Sequence, residues 1–195
     1  MSSGRQFARL KRGTEPVGPE FSLVPAEGMC LSAFLVIRPP GAERQVLLGR
    51  LDPAASWLEL SALDPARVAA IGDRWMLPSC QLLLYESPED AARRIAREQL
   101  AAASITLEGP AVFSDPYYRA GSRTKEMHWD LHFVFRGRWP SDRPPRSPVW
   151  RELAFLDPAT LSGDEFARNQ GDVLALVGLP PRSAAAAHPA PARRA

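Results

Sequence analysis

Apolar and polar positions alternate most regularly in HWDLHFVFRGRW, residues 128–139. A strand there places Trp129, Leu131, Phe133 and Phe135 on one side and His128, Asp130, His132 and Val134 on the other. MCLSAFLVI, residues 29–37, predicts an earlier strand that Pro39-Pro40-Gly41 closes, and RQVLLGRL, residues 44–51, predicts another. The short polar turn between them predicts a hairpin, or neighbouring strands in one sheet. Asp64-Pro65 opens a short helix that ends near Gly72. The clearest helix is PEDAARRIAREQLAA, with Ser87 as N-cap, Pro88 where a first helical residue tolerates proline, and Asp90 three residues after the cap. Its inward side is defined by Ala91, Ile95 and Leu100, with Ala92, Ala96 and Gln99 alongside. Residues 104–118 read as a strand followed by a loop at Pro110 and Pro116. Residues 164–179 read as a final helix, with Gly178 near its end and Pro180-Pro181 stopping it.

Composition narrows the class. At 195 residues, 45% hydrophobic and 24% charged, the chain suits one well-filled globular core. Residues 1–26, basic and then rich in proline and glycine, read as an N-terminal arm with one short strand around 21–24. The domain proper is expected over 27–180, and the low-complexity stretch 181–195 as a disordered tail. A net charge of +2 is too small to signal nucleic-acid binding. Only Lys11 and Lys125 are lysines, so the basic side chains are almost all arginine, whose rigid fork suits phosphate or carboxylate. Cys30 and Cys80 have neither metal-pair spacing nor a disulfide pattern. No apolar run is long enough to span a bilayer and none near the start resembles a signal sequence, so a cytoplasmic protein is expected.

Chemistry concentrates in WMLPSCQLLLYESPEDAARRIAREQLAA, residues 75–102. Trp75-Met76-Leu77-Pro78-Ser79-Cys80 is similar to the Trp-x-Leu-Pro-Gly-Gly lead-in of the Nudix hydrolase family, and Glu86 and Arg94 keep the spacing of that family's glutamate and arginine. The chain therefore resembles the Nudix family with a degenerate motif over residues 80–102. Ser79 and Cys80 replace glycines, Ile95 replaces the glutamate after the arginine, and Gln99 replaces the acidic neighbour of Glu98. The order of the remaining segments is also similar over roughly residues 28–179. The resemblance implies an α/β fold, a Nudix-like α/β/α sandwich with a mixed sheet. It also implies a bridge between Glu86 and Arg94 as a structural element of the motif, magnesium or manganese as cofactor, and a homodimer as the assembly.

The departures bear on the metal chemistry. Positions 95, 98 and 99 share one helical face, and glutamate at all three would give hard oxygen ligands for divalent cations. Such ions bridge the protein to a pyrophosphate and orient water. With isoleucine and glutamine at two of them, one negative charge remains where three would stand, so a standard multi-ion site is not expected to assemble. Glu98 and Glu126 are the catalytic and metal-binding candidates, Glu126 because the family can recruit a further ligand or base from a later loop. Arg74, Tyr117, Arg119, His128, Asp130 and His132 are the substrate-binding candidates. His128, Asp130 and His132 share a strand face, but the two histidines lie about 13 Å apart along it, too far for easy capture of one ion. Cys80 is read as a small buried thiol in a glycine position. The expected function is binding of a nucleotide, related diphosphate or phosphorylated small molecule with weak or no standard hydrolysis. The alternative is a divalent-metal-dependent hydrolase of a nucleoside-diphosphate-linked substrate acting through a non-standard site.

Overall fold

A computed structural model describes residues 4–10, 29–102, 104–118, 127–167 and 170–182, without the side chains of 9, 10, 115–118, 127 and 128. Seven strands and four helices are described: β1 (Arg9–Leu10), β2 (Met29–Arg38), β3 (Val46–Leu51), α1 (Trp57–Ser61), α2 (Pro65–Ile71), β4 (Ser79–Gln81), α3 (Pro88–Leu100), β5 (Leu107–Tyr118), β6 (Met127–Arg138), β7 (Trp150–Leu156) and α4 (Gln170–Leu176). The main sheet is mixed. It runs β1-β2-β6-β5, with β4 also paired to β2; β2 and β6 are parallel, and the β1–β2, β2–β4 and β5–β6 pairs are antiparallel.

The expected pairing of β2 with β3 does not form, because β3 joins β7 in a separate antiparallel two-stranded sheet. Residues 75–78 explain the separation. Met76 exchanges both backbone hydrogen bonds with Gly49 of β3, and the Leu35 N–H of β2 donates to the Pro78 carbonyl. This segment thus takes up backbone groups that a β2–β3 ladder would need.

Helix α3 packs its small residues flat on the sheet. Ala91, Ala92, Ile95, Ala96 and Leu100 join Ala33, Leu35, Ile37 and Phe135 in one buried cluster. The Ser87 hydroxyl accepts from the Asp90 N–H, and Pro88 opens the helix at no hydrogen-bond cost. Its far end turns on Ala101 in a left-handed conformation, φ 53°, which a side chain adopts at some cost. Phe34, Val36, Val46, Leu48, Trp75, Leu77, Val134, Val173 and Leu174 form a second cluster. Helix α3 and the segments around 75–77 and α4 therefore cover separate buried clusters of the sheet. With β6 interior to the sheet, its polar side is buried as well: Asp130 and His132 are buried beside Val134, and the His132 ring meets Phe34 edge-on at 5.0 Å.

Two further expectations change. The strand from residue 107 continues through both prolines to Tyr118 instead of ending in a loop. β5 lies at the sheet edge and its register shifts between Glu108 and Ala111, two settings in which a missing N–H is tolerated. The final helix is shorter than 164–179, comprising a 3-10 turn at Gly163–Glu165 and α4 at Gln170–Leu176. Backbone hydrogen bonds from the Trp75 N–H to the Glu165 carbonyl and from the Ala167 N–H to the Trp75 carbonyl draw that segment out of helical pairing. The short strand expected near 21–24 lies outside the described residues.

Candidate functional site

The motif loop and α3 are locked together by one ion pair. Arg94 Nε reaches Glu86 Oε1 at 2.8 Å and Arg94 Nη2 reaches Glu86 Oε2 at 2.8 Å, with the two side chains 5% and 11% exposed. Nη2 also lies 3.0 Å from the Gln81 carbonyl and 3.2 Å from the Cys80 sulfur, and Nη1 donates to the Leu60 carbonyl at 3.4 Å. Glu86 Oε2 also accepts from the Leu83 N–H at 2.8 Å. A desolvated pair held by this many additional bonds fixes the loop conformation as well as neutralising both charges.

Cys80, packed at the foot of that arginine, is buried. Burial is the main cause pushing its thiol up to about 12, although the Arg94 charge opposes the rise. A thiol of that kind is neutral and unreactive at physiological pH.

The face of α3 that would carry cation ligands is largely sealed. Ile95 and Gln99 are each only 1% exposed. The Gln99 amide nitrogen donates to the Ser61 hydroxyl at 3.1 Å and the Ser79 carbonyl at 2.9 Å, while Ser61 itself donates to that carbonyl at 2.6 Å. Gln99 therefore ties α3 to α1 and β4. Glu98 is the carboxylate left at the surface of this face, and Arg5 holds it. Arg5 Nη1 lies 2.7 Å from Glu98 Oε2 and Nη2 lies 3.0 Å from Oε1, a two-pronged pair, and Nη1 also donates to the Glu59 carbonyl at 3.0 Å. Partial burial works against ionisation of Glu98, but Arg5, by hydrogen bond and charge, with help from Arg94 and Arg97, holds its carboxyl below the ordinary glutamate range.

Residues 6–8 bring Arg5 to this position. The Ala8 N–H donates to the Leu82 carbonyl at 2.7 Å and the Leu84 N–H donates to the Gln6 carbonyl at 2.8 Å, so the segment lies along the motif loop before β1 pairs with β2. Neither Arg5 nor the supporting Glu59 and Ser61 was singled out from sequence. Arg5 sits in a basic stretch without hydrophobic periodicity, and no local signal marked it as a partner for a residue 93 positions away.

The other candidates are spread out. Arg74 Nε donates to the Asp164 carbonyl at 3.2 Å and Nη1 to the Ala70 carbonyl at 2.8 Å, anchoring the end of α2. Asp130 and His132 are buried on β6. Tyr117 and His128 are register partners in the β5–β6 ladder, with side chains outside the described set. Arg119 and Glu126 lie outside the described residues altogether. Among the described residues, no group of three or more His, Cys, Asp or Glu side chains converges as a metal site. The described donors on α3 do not fit a two- or three-cation set: one position has no donor, one turns its amide into the core, and the third is paired with arginine.

The mixed α/β architecture matches that of solved Nudix hydrolase structures. A solved structure of a MutT Nudix hydrolase from Burkholderia pseudomallei matches with a TM-score of 0.50 and 16% identity, covering 76% of this chain and 98% of that one. The protein DR0079 from Deinococcus radiodurans matches with a TM-score of 0.53 and 20% identity, covering 88% and 98%. The Nudix domain of Shewanella oneidensis NrtR, solved with ADP-ribose, gives a TM-score of 0.48 and 13% identity over 77% and 86%. At such identities the likeness is one of fold. No protein-family model matches the chain, and no match is found among curated proteins. Among the described residues, no helix is long and apolar enough to cross a membrane.

Proposed function

We propose that this protein is a Nudix-fold binding module for a nucleotide or related diphosphate, with weak or no standard pyrophosphate hydrolysis. One observation carries the reading: the single carboxylate on the cation-binding face of α3, Glu98, is occupied by the guanidinium of Arg5. Divalent-cation catalysis of phosphoanhydride cleavage needs hard anionic oxygens free to share an ion with the substrate. Here that charge is already neutralised, and Ile95 and Gln99 are committed to packing. The Glu86–Arg94 lock keeps the loop and helix in place without contributing to cation binding.

The test combines turnover and affinity. Purified protein is incubated with nucleoside-diphosphate-linked compounds, ADP-ribose among them, with magnesium and with manganese, and phosphate-containing products are quantified. The same compounds are titrated by calorimetry. Saturable binding without product release supports the proposal. Robust turnover that disappears in Glu98→Gln refutes it in favour of a metal-dependent hydrolase working through a non-standard site.

A further inference from the structure

A cavity of about 710 Å³ opens at the carboxyl ends of β2 and β6, lined in part by Val36, Arg38, Ile105, Arg136, Arg138 and Trp139. That volume falls within the usual range of small-molecule sites. The cavity is separate from the group formed by Asp130 and His132, because Arg136 lies six residues beyond Asp130 on the same strand, about 20 Å in an extended chain.

The arginines are gathered by sheet register. Val36 stands opposite Arg136 and Arg38 opposite Arg138 in the parallel β2–β6 pair, so the three guanidinium groups arise on one face of adjacent strands. Like charges on neighbouring strands repel, and such an arrangement calls for an anionic partner. Glu43, from the β2–β3 turn, supplies part of it: its Oε1 lies 2.8 Å from Arg138 Nη2 and its Oε2 lies 3.2 Å from Arg38 Nη1. Glu108 is the cross-strand register partner of Arg136, yet the Arg136 side chain makes no ion pair or hydrogen bond among the described residues. Three guanidinium groups against the two carboxylates Glu43 and Glu108 leave one positive charge at the mouth of the cavity. Glu43 also shows the geometry, since one carboxylate spans two of these arginines as a ligand's anionic group would.

The rest of the wall suits an apolar body. Ala101, Ala102 and Ile105 present hydrocarbon and Trp139 presents an indole, with Ala102, Ile105 and Trp139 packed beside the α3-side cluster, and Gly137 lets the chain near Thr106 and Leu107 approach the strand closely. A Cβ at Gly137 would come within 3.0 Å of Leu107 Cδ2 and 3.2 Å of the Thr106 carbonyl.

We propose that this cavity is a second ligand site, for a small organic anion whose phosphate or carboxylate oxygens engage Arg136 and Arg138 and whose apolar or aromatic body passes the strand ends to reach Ile105 and Trp139 on the α3 side of the sheet. The site is independent of the reading given for α3.

The test is a titration of isotope-labelled full-length protein with AMP, adenosine, inorganic phosphate and benzoate, followed through the backbone amides of Ala101, Gly137 and Trp139. Saturable shifts at these amides with AMP or benzoate, and much weaker ones with adenosine, are the expected result. AMP without benzoate assigns the phosphate form, and benzoate without AMP assigns the carboxylate form. Arg136→Ala, at an exposed position, should weaken the effective ligand at least tenfold while leaving the remaining spectrum in place. Absence of saturable shifts with every probe overturns the proposal. So does unchanged affinity in Arg136→Ala, or a response confined to α3 and the first half of β6; inorganic phosphate acting as strongly as AMP overturns the role assigned to the apolar wall.

Discussion

Removing Glu86 tests whether the motif survives here as a structural lock. In Glu86→Ala the Arg94 side chain, 5% exposed in the wild-type chain, loses two bonds of 2.8 Å and keeps only its contacts to Gln81, Leu60 and Cys80. The Leu83 N–H loses its acceptor as well. Stranding one partner of a buried ion pair costs about 3–5 kcal/mol. For a chain of this size that corresponds to a fall in Tm of roughly 6–20 °C. Urea denaturation followed by circular dichroism at neutral pH measures the loss directly. The companion double variant Glu86→Leu with Arg94→Met removes both charges and should recover a large part of the stability, because neither group is then left uncompensated. A loss under about 1 kcal/mol in Glu86→Ala would refute the reasoning, since that is the value of an exposed pair. A double variant as unstable as the single one would show that packing, not charge pairing, dominates at this site.

Other perturbations address separate links. Arg5→Ala leaves Glu98 with its burial but without its main partner, so the Glu98 carboxyl should rise from its depressed value to the ordinary glutamate range or above, measured by NMR titration of the carboxyl carbon. In the wild-type chain the Arg5 pair, formed in full above the unfolded glutamate pKa, should be lost as pH falls through the depressed value; a pair insensitive to acid would contradict the assignment. Cys80, with its thiol pushed up to about 12, should resist a thiol-specific reagent at pH 8 and react only in denaturant; rapid modification of the folded protein would refute its burial. Ala101→Gly should stabilise the protein by about 0.5–1 kcal/mol because the residue already holds a left-handed turn, and a loss of stability in a thermal melt would show that the Ala101 methyl contributes more than the strain costs.

Local order was legible wherever it depended on neighbours in the chain. Ser87, Pro88 and Asp90 marked the start of α3, Asp64 and Gly72 bounded α2, and the alternation from 128 to 139 marked β6. These signals act over a few residues, through capping, fixed φ and side-chain periodicity, and the similarity of 75–102 to a known motif gave the overall architecture. The partition of strands between sheets was decided elsewhere. Periodicity states which face of a strand is apolar but not which strand lies beside it, so the separation of β3 from β2 followed from the insertion of residues 75–78. The same limit applied to the site. Sequence indicated that Glu98 stood without acidic neighbours on its face, whereas the pairing of that charge with Arg5 required a backbone ladder along the motif loop. Sequence alone determined which charges and which helix faces the chain could offer. Tertiary structure decided which of them meet, because an ion pair between residues far apart exists only after the backbone has brought them within hydrogen-bonding distance.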